Sequence, residues 1–388
     1  VATVLLVIIY LAFISLGLPD ALLGASWPVM QPEFGVPFGF AGLVSVVISG
    51  GTIVSSVVSS RVLRRFGTGK VTAVSVGATA LALVGFSVTP SFWWLPVIAI
   101  PLGLGAGALD AGLNAYVAEH YESRHMSWLH SFWGVGALSG PLLLAGLLAG
   151  GGSWRTGYLT IGLFQAGLVV VLALSIPLWA RVRSLKTEGT LPAEADHQPL
   201  FFPLKLRGVK MALVAFFFYC GIESTMGLWG GSFLNRTKGL DPAAAAGWVS
   251  AFYASITVGR MATGFVTLKV SNRDQIRAGC LVIGVGLALM VLPLPLPATL
   301  AGFVLVGLGC APIFPCMLHE TPVRFGTAQA QAVMGFQMAC AYVGATALPP
   351  AFGFVAQVTS TAWMPLLLVA FAAFLAVGTE RVRNLKAA

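Results

Sequence analysis

The sequence predicts an all-α membrane protein, with twelve transmembrane helices arranged as two pseudo-symmetric six-helix bundles. Three observations lead there. The 388-residue chain is 57% hydrophobic and only 9% charged, with a mean hydropathy of +0.89, where a soluble domain carries about 25% charged residues. Apolar stretches long enough to cross a bilayer, which takes about 20 residues, recur twelve times with short connections. The two halves also share features at a common offset of about 204 residues, as expected when one unit is used twice.

In the first half the apolar segments fall at 3–30, 38–60, 70–89, 94–119, 127–149 and 156–180. In the second they fall at 209–234, 243–268, 275–293, 298–319, 327–350 and 358–379. Segment 1 contains Pro19 between Gly17 and Gly24, which predicts a kinked or broken helix there. Segment 4 lies in the run Phe92–Val117, whose only charge is Asp110. The repeat is legible in four helix pairs. Ala41-Gly-Leu-Val-Ser45 returns as Ala246-Gly-Trp-Val-Ser250, and Gly103-Leu-Gly105 as Gly307-Leu-Gly309. Asp20 and Gly24 fall close to Glu223 and Gly227, and Phe132 and Gly140 match Phe336 and Gly344. The longest polar stretch, from Arg181 to Pro199, is too polar to span. A first bundle over 1–180, a cytoplasmic linker over 181–208 and a second bundle over 209–388 follow. That is the parallel-repeat plan of a secondary transporter.

The formal charge of +9 does not imply nucleic acid. Of 22 Lys and Arg residues, all but Arg155, Arg236, Lys238 and Arg260 fall on one side of the twelve-segment plan. This positive-inside pattern puts both termini in the cytoplasm, with the chain expected in the plasma (inner) membrane. Cys220, Cys280, Cys310, Cys316 and Cys340 all fall in apolar segments, and their spacing fits neither zinc nor a disulfide framework. They read as packing residues. No Lys/Arg-rich lead or small-residue cleavage site opens the sequence, so no signal peptide is expected.

Three of 13 acids lie inside apolar segments: Asp20, Asp110 and Glu223. An ionised carboxylate at the bilayer centre costs about 2.5–3.5 kcal/mol even on a lenient scale, so such groups mark ion or proton handling by default. Each also has a structural reading: Asp110 as the partner of a base on another helix, Asp20 as a cap for the interrupted helix, and Glu223 as part of a gate near the cytoplasmic end of segment 7. Asn114 lies one turn from Asp110 on the same face and suits a shared polar site. His130 can donate and accept near neutral pH. Trp27 and Trp133 are the better aromatic candidates for stacking on a solute, whereas Trp93, Trp94, Trp154 and Trp363 sit near segment ends as interfacial anchors. Trp229, Gln337, Gln165, Asn235 and Tyr253 are weaker polar or aromatic candidates. Glu119, His120, Glu122 and His125 lack metal-ligand spacing and read as a solvated loop. No nucleophile elbow or HExxH context is present, so no enzyme is expected.

Several of these motifs resemble the major facilitator superfamily (MFS), and more narrowly its fucose-permease-like branch of sugar–proton symporters. Leu18-Pro-Asp-Ala-Leu-Leu-Gly-Ala-Ser-Trp-Pro28 resembles the acid-containing stretch of that branch, which places Asp20 on its acid. Gly103-Leu-Gly-Ala-Gly-Ala-Leu-Asp110 with Asn114 is similar to its Gly-Leu-Gly-Cys-Leu-Glu pattern, with Asp in place of Glu. His130-Ser-Phe132 stands where the family has Asn-Ser-Phe at a sugar contact, and Gly259-Arg-Met-Ala-Thr-Gly264 resembles its Gly-Arg-x-x-Gly signature, which holds Arg260. One departure concerns gating: Ser60-Arg-Val-Leu-Arg-Arg-Phe-Gly67 carries Arg64 where the family's loop has Asp. The resemblance implies proton-coupled symport of a sugar or similar small polar solute. Asp110, Asp20 and Glu223 would handle the proton, Asn114, His130, Trp27, Trp133 and Gln337 would bind the solute, and Arg260 and Arg64 would serve gating. The alternative is a proton-coupled efflux antiporter for a drug or amphipathic metabolite. No cofactor is expected beyond the proton as coupling ion. The partners are a small-molecule substrate and the lipid bilayer, with the chain acting as a monomer.

Overall fold

A computed structural model describes residues 2–121, 123–184, 202–266, 269–383 and 385. Among them the regular structure is wholly helical. Helices α1 (Ala2–Gly17), α2 (Leu22–Phe34), α3 (Phe40–Phe66), α4 (Thr68–Val88), α5 (Trp94–His120), α6 (Ser123–Ala149) and α7 (Trp154–Ser184) come first. They are followed by α8 (Val209–Lys238), α9 (Pro242–Val266), α10 (Asn272–Val291), α11 (Leu296–Phe325), α12 (Thr327–Val358) and α13 (Met364–Val382). The chain divides into two units: Val1–Pro192 with Leu240–Ser250, and Ala193–Gly239 with Ala251–Ala388. Of the expected linker, 185–201 lies outside the described residues.

Twelve expected segments thus appear as thirteen helices, because segment 1 is interrupted. Residues 18–21 form turns between α1 and α2, where Pro19 and the flanking glycine loosen the helix. Among the described residues ten helical segments are long and apolar enough to cross a membrane, with Thr3–Phe34 taken as one. The expected span at 243–268 does not reach that standard, since α9 carries Arg260. Within 38–60 the described residues give the apolar helix Phe40–Ser56; α3 carries hydroxyls at Thr52, Ser55, Ser56 and Ser59 and no charge before Arg61.

The hydroxyls of α3 have a local explanation in glycine. Gly103 and Gly107 of α5 lie so close to the Ile48 and Thr52 carbonyls of α3 that a Cβ on either would overlap the oxygen. At that separation Thr52 Oγ1 donates to Gly103 O at 3.2 Å and Ser56 Oγ to Gly107 O at 3.2 Å. Close backbone approach through small residues is how helices associate in lipid, where the hydrophobic effect gives no attraction between them. The second unit repeats the device. Gly307 of α11 meets Phe252 of α9, so both members of the pair are displaced by the same offset of about 204 residues. Gly136 and Gly140 of α6 likewise press on the Ile14 and Leu18 carbonyls of α1, and Gly344 of α12 on the Phe217 carbonyl of α8.

Gly103→Ala and Gly107→Ala are therefore expected to destabilise the protein by about 1–3 kcal/mol each, the usual cost of overpacking. Gly146→Ala, whose Cβ would enter open space, should leave the thermal midpoint unchanged or slightly raised. Unfolding of the detergent-solubilised protein measures the difference.

Candidate functional site

In the first unit the interruption of segment 1 sets the site. Asp20 lies in the turn between α1 and α2, is exposed, and falls near the middle of the apolar stretch Thr3–Phe34. Its Oδ2 accepts the indole N–H of Trp133, on α6, at 2.6 Å. Ala21, the residue after Asp20, is the N-cap of α2 and its side chain makes no capping bond. Gly17 makes the pair possible, since a Cβ there would overlap the Trp133 carbonyl and hold α6 away. His130, one turn before Trp133, is also exposed, and its ring stands edge-on to Phe13 of α1 at 6.0 Å. The structure thus brings three of the expected residues, Asp20, His130 and Trp133, to one α1–α6 seam.

Asp110 and Asn114 form a second polar set on α5. Asn114 Nδ2 donates to Asp110 Oδ1 at 2.9 Å and to its backbone carbonyl at 3.0 Å, and both residues are partly buried. The i, i+4 spacing dictates this contact.

In the second unit, Glu223 of α8 meets Arg260 of α9 at 3.3 Å, with side-chain exposures of 13% and 18%. Tyr219, one turn before Glu223 and fully buried, donates its hydroxyl to Glu223 Oε2 at 2.6 Å, and Arg260 Nη2 donates to the same hydroxyl at 3.3 Å. The position of Glu223 corrects the expectation. Because α8 continues to Lys238, Glu223 stands at the helix middle rather than nearer its cytoplasmic end. The intramembrane arginine weighed as a partner for Asp110 is engaged with Glu223.

Other expected residues are placed elsewhere. Trp27 is fully buried, its N–H donating to Phe38 O at 2.9 Å. Trp229 is buried in the same way, bonded to Pro349 O at 2.6 Å. Both are keyed into the core rather than turned to a cavity. Gln337, at the repeat position of Trp133, is 1% exposed and accepts from Thr321 at 3.0 Å. Gln165 is equally buried and joins Thr79 to the Ser15 carbonyl. Arg64 is exposed in the last turn of α3. His120 stacks on Tyr116 at 4.1 Å, and His125 Nδ1 lies 2.8 Å from the Tyr10 hydroxyl. The side chains of Glu119 and Glu122 lie outside the described residues. Among those described, no His, Cys, Asp and Glu group is arranged to hold a metal.

The sequence profile of the Major Facilitator Superfamily matches residues 9–349. The chain belongs to this superfamily. It is a secondary transporter of small molecules in a membrane, not an enzyme. MFS relatives include the glucose/mannose transporter GlcP of Bacillus subtilis, 24% identical over 72% of this chain and 68% of that protein. Another is the cis,cis-muconate transport protein of Acinetobacter baylyi, 23% identical over 68% of this chain and 66% of that one. A solved bacterial homologue of the human lysosomal transporter Spinster superposes with a TM-score of 0.73 at 13% identity, covering 98% of this chain and 94% of its own. That likeness establishes the MFS fold.

Within this MFS chain the sequence reading missed two sets of residues. Tyr219 was not singled out, although its spacing of four from Glu223 put both on one face of α8. Glu33, at the end of α2, receives Arg155 Nη2 at 2.7 Å and the Trp154 N–H, while Arg155 Nη1 donates to Thr89 O at 2.7 Å. These bonds tie α2 and the end of α4 to the start of α7. A charge complement across separate loops leaves no local pattern to read.

Arg260→Gln strands a largely buried carboxylate and is expected to cost about 2–3 kcal/mol, discounted from a fully buried pair by the residual exposure. Glu223→Gln combined with Arg260→Gln should recover most of that loss. Thermal unfolding of the three proteins in detergent measures the coupling; an additive loss in the double variant would show that the pair contributes nothing as a pair.

Proposed function

We propose that this transporter is a proton-coupled symporter of a sugar or similar small polar solute. The Asp20–Trp133 pair carries the reading. A carboxylate in a broken helix keeps acceptor capacity for hydroxyl groups, and an indole beside it offers a ring face to the apolar C–H side of a sugar. The glucose/mannose transporter among the relatives supports that substrate class. Asp20 is open to water at mid-segment, so it can exchange a proton as well as bind. Asp110, braced by Asn114, is the proton carrier in this reading. Glu223 serves as a structural counter-charge to Arg260, because its carboxylate is already engaged by that guanidinium and by the Tyr219 hydroxyl.

Coupling follows from differential affinity. Solute and proton together must favour the occluded state over either alone, since a ligand shifts an equilibrium only by its preference between states. The helical bundles on either side of the 181–208 linker supply the moving bodies, with the termini cytoplasmic in the plasma membrane and one chain as the working unit.

The test is charge movement in proteoliposomes on jumps across a sugar panel. Asp110→Asn should abolish proton-driven accumulation while leaving solute exchange measurable; accumulation that survives in this variant removes Asp110 from the coupling role. Trp133→Phe deletes a hydrogen bond to a charged group, so apparent affinity for the solute should fall about tenfold or more. Silence across the panel from folded protein would transfer the reading to proton-coupled efflux of an amphipathic metabolite.

A further inference from the structure

The inner end of the α3–α4 hairpin in the first unit carries a charge surplus of which only Arg64 has an expected role, in gating. Arg61, Arg64 and Arg65 close α3 and Lys70 opens α4, and all four side chains are exposed. None has an ion-pair partner among the described residues. The sequence explains why: no Asp or Glu occurs between Glu33 and Asp110. The second unit is different. There Arg273 and Arg324 share Glu320, at 2.9 and 3.5 Å, and Arg277 and Arg383 contact Glu380. Like charges crowded at one helix end repel unless an anion joins them, and none of the described side chains of the first unit supplies one.

The surroundings indicate the source of that anion. Helix α3 carries no charge from Phe40 up to Arg61, so its bases follow directly on its apolar length. Val54 and Val58 are exposed on the helix face that continues to Arg61 and Arg65, at the spacing of a single stripe. On α4, Lys70 is followed one turn later by Val74, which is 73% exposed. Gly67, with a φ of +82°, turns the chain between the two helices so that their basic ends adjoin. Phe66 is exposed beneath the Arg65 guanidinium, 5.4 Å from its ring, as an aromatic at headgroup level would be.

We propose that this hairpin end is a binding site for an anionic phospholipid, with the phosphate held by Arg61, Arg65 and Lys70 and an acyl chain lying along Val54, Val58 and Val74. A lipid is the ligand, rather than free phosphate, because the aliphatic stripes lead directly into the bases and give the chains a surface. Guanidinium groups bind a phosphate through paired N–H donors, and each base near an anionic lipid surface strengthens binding about fivefold. The site is independent of the solute and its coupling ion.

The full-length protein in detergent, titrated with dioleoyl phosphatidylglycerol or dioleoyl phosphatidylethanolamine and read by native mass spectrometry, tests the site. Wild type should retain phosphatidylglycerol preferentially. The Arg61→Gln/Arg65→Gln variant should weaken that retention about 25-fold, two bases at about fivefold each. Arg61→Lys/Arg65→Lys should keep most of it, and Arg381→Gln, an exposed base elsewhere, should leave it unchanged. Equal retention of both lipids by wild type overturns the proposal. So does an equal loss in the Arg381→Gln control, which would make the binding a general charge effect. Displacement of the lipid by millimolar inorganic phosphate would reassign the site to a soluble anion.

Discussion

In the hydrocarbon of a bilayer a hydroxyl, an amide or an indole N–H has only protein to bond, and an unmet group costs several kcal/mol. Much of this structure follows from that constraint. Gln165 spends its carbonyl on Thr79 and its amide on Ser15 O, which ties α1, α4 and α7 through one buried side chain. Trp27 and Trp229 give their N–H groups to backbone carbonyls across the fold. Thr52 and Ser56 reach α5 only because Gly103 and Gly107 admit the backbone of α3. Glycine and hydroxyl act together: the small residue sets the separation, and the hydroxyl uses it.

The same constraint sorts the acids. Glu223 belongs to a closed set in which Tyr219 and Arg260 supply donors and the opposite charge. Glu320 is closed in the same way between Arg273 and Arg324. Asp20 differs in place: it accepts the Trp133 indole N–H and is exposed where the helix is interrupted. A carboxylate kept water-accessible at mid-segment can meet a solute, and that makes it a candidate for binding.

The scaffold was legible in the sequence because its signals are long and periodic: apolar runs near 20 residues, Pro19 between glycines, and a repeat that pairs Gly103 with Gly307. Segment ends were less legible. Gly239, with a φ of +72°, stops α8 four residues beyond the expected end, and Glu223 lies at mid-helix by either bound. Site residues were legible as types but not as partners. Nothing local in Trp27 or Trp133 shows that one indole is keyed to Phe38 and the other to Asp20, because those bonds join positions 11 and 113 residues apart.

The internal repeat adds a further step. Positions that build the scaffold are kept between the units: Trp27 and Trp229 are both buried and both bonded to backbone, and Gly103 and Gly307 meet facing helices in the same way. Positions at the candidate site are not. Asp20 accepts from an indole where Glu223 meets an arginine, and Trp133 meets a carboxylate where Gln337 meets a threonine. Duplication gives two copies of one architecture, and divergence at a few polar positions gives the copies different electrostatics. The proposed proton coupling would use that difference: a carboxylate of the first unit would lose and regain its proton, while the Glu223–Arg260 pair keeps α8 joined to α9 through the same cycle.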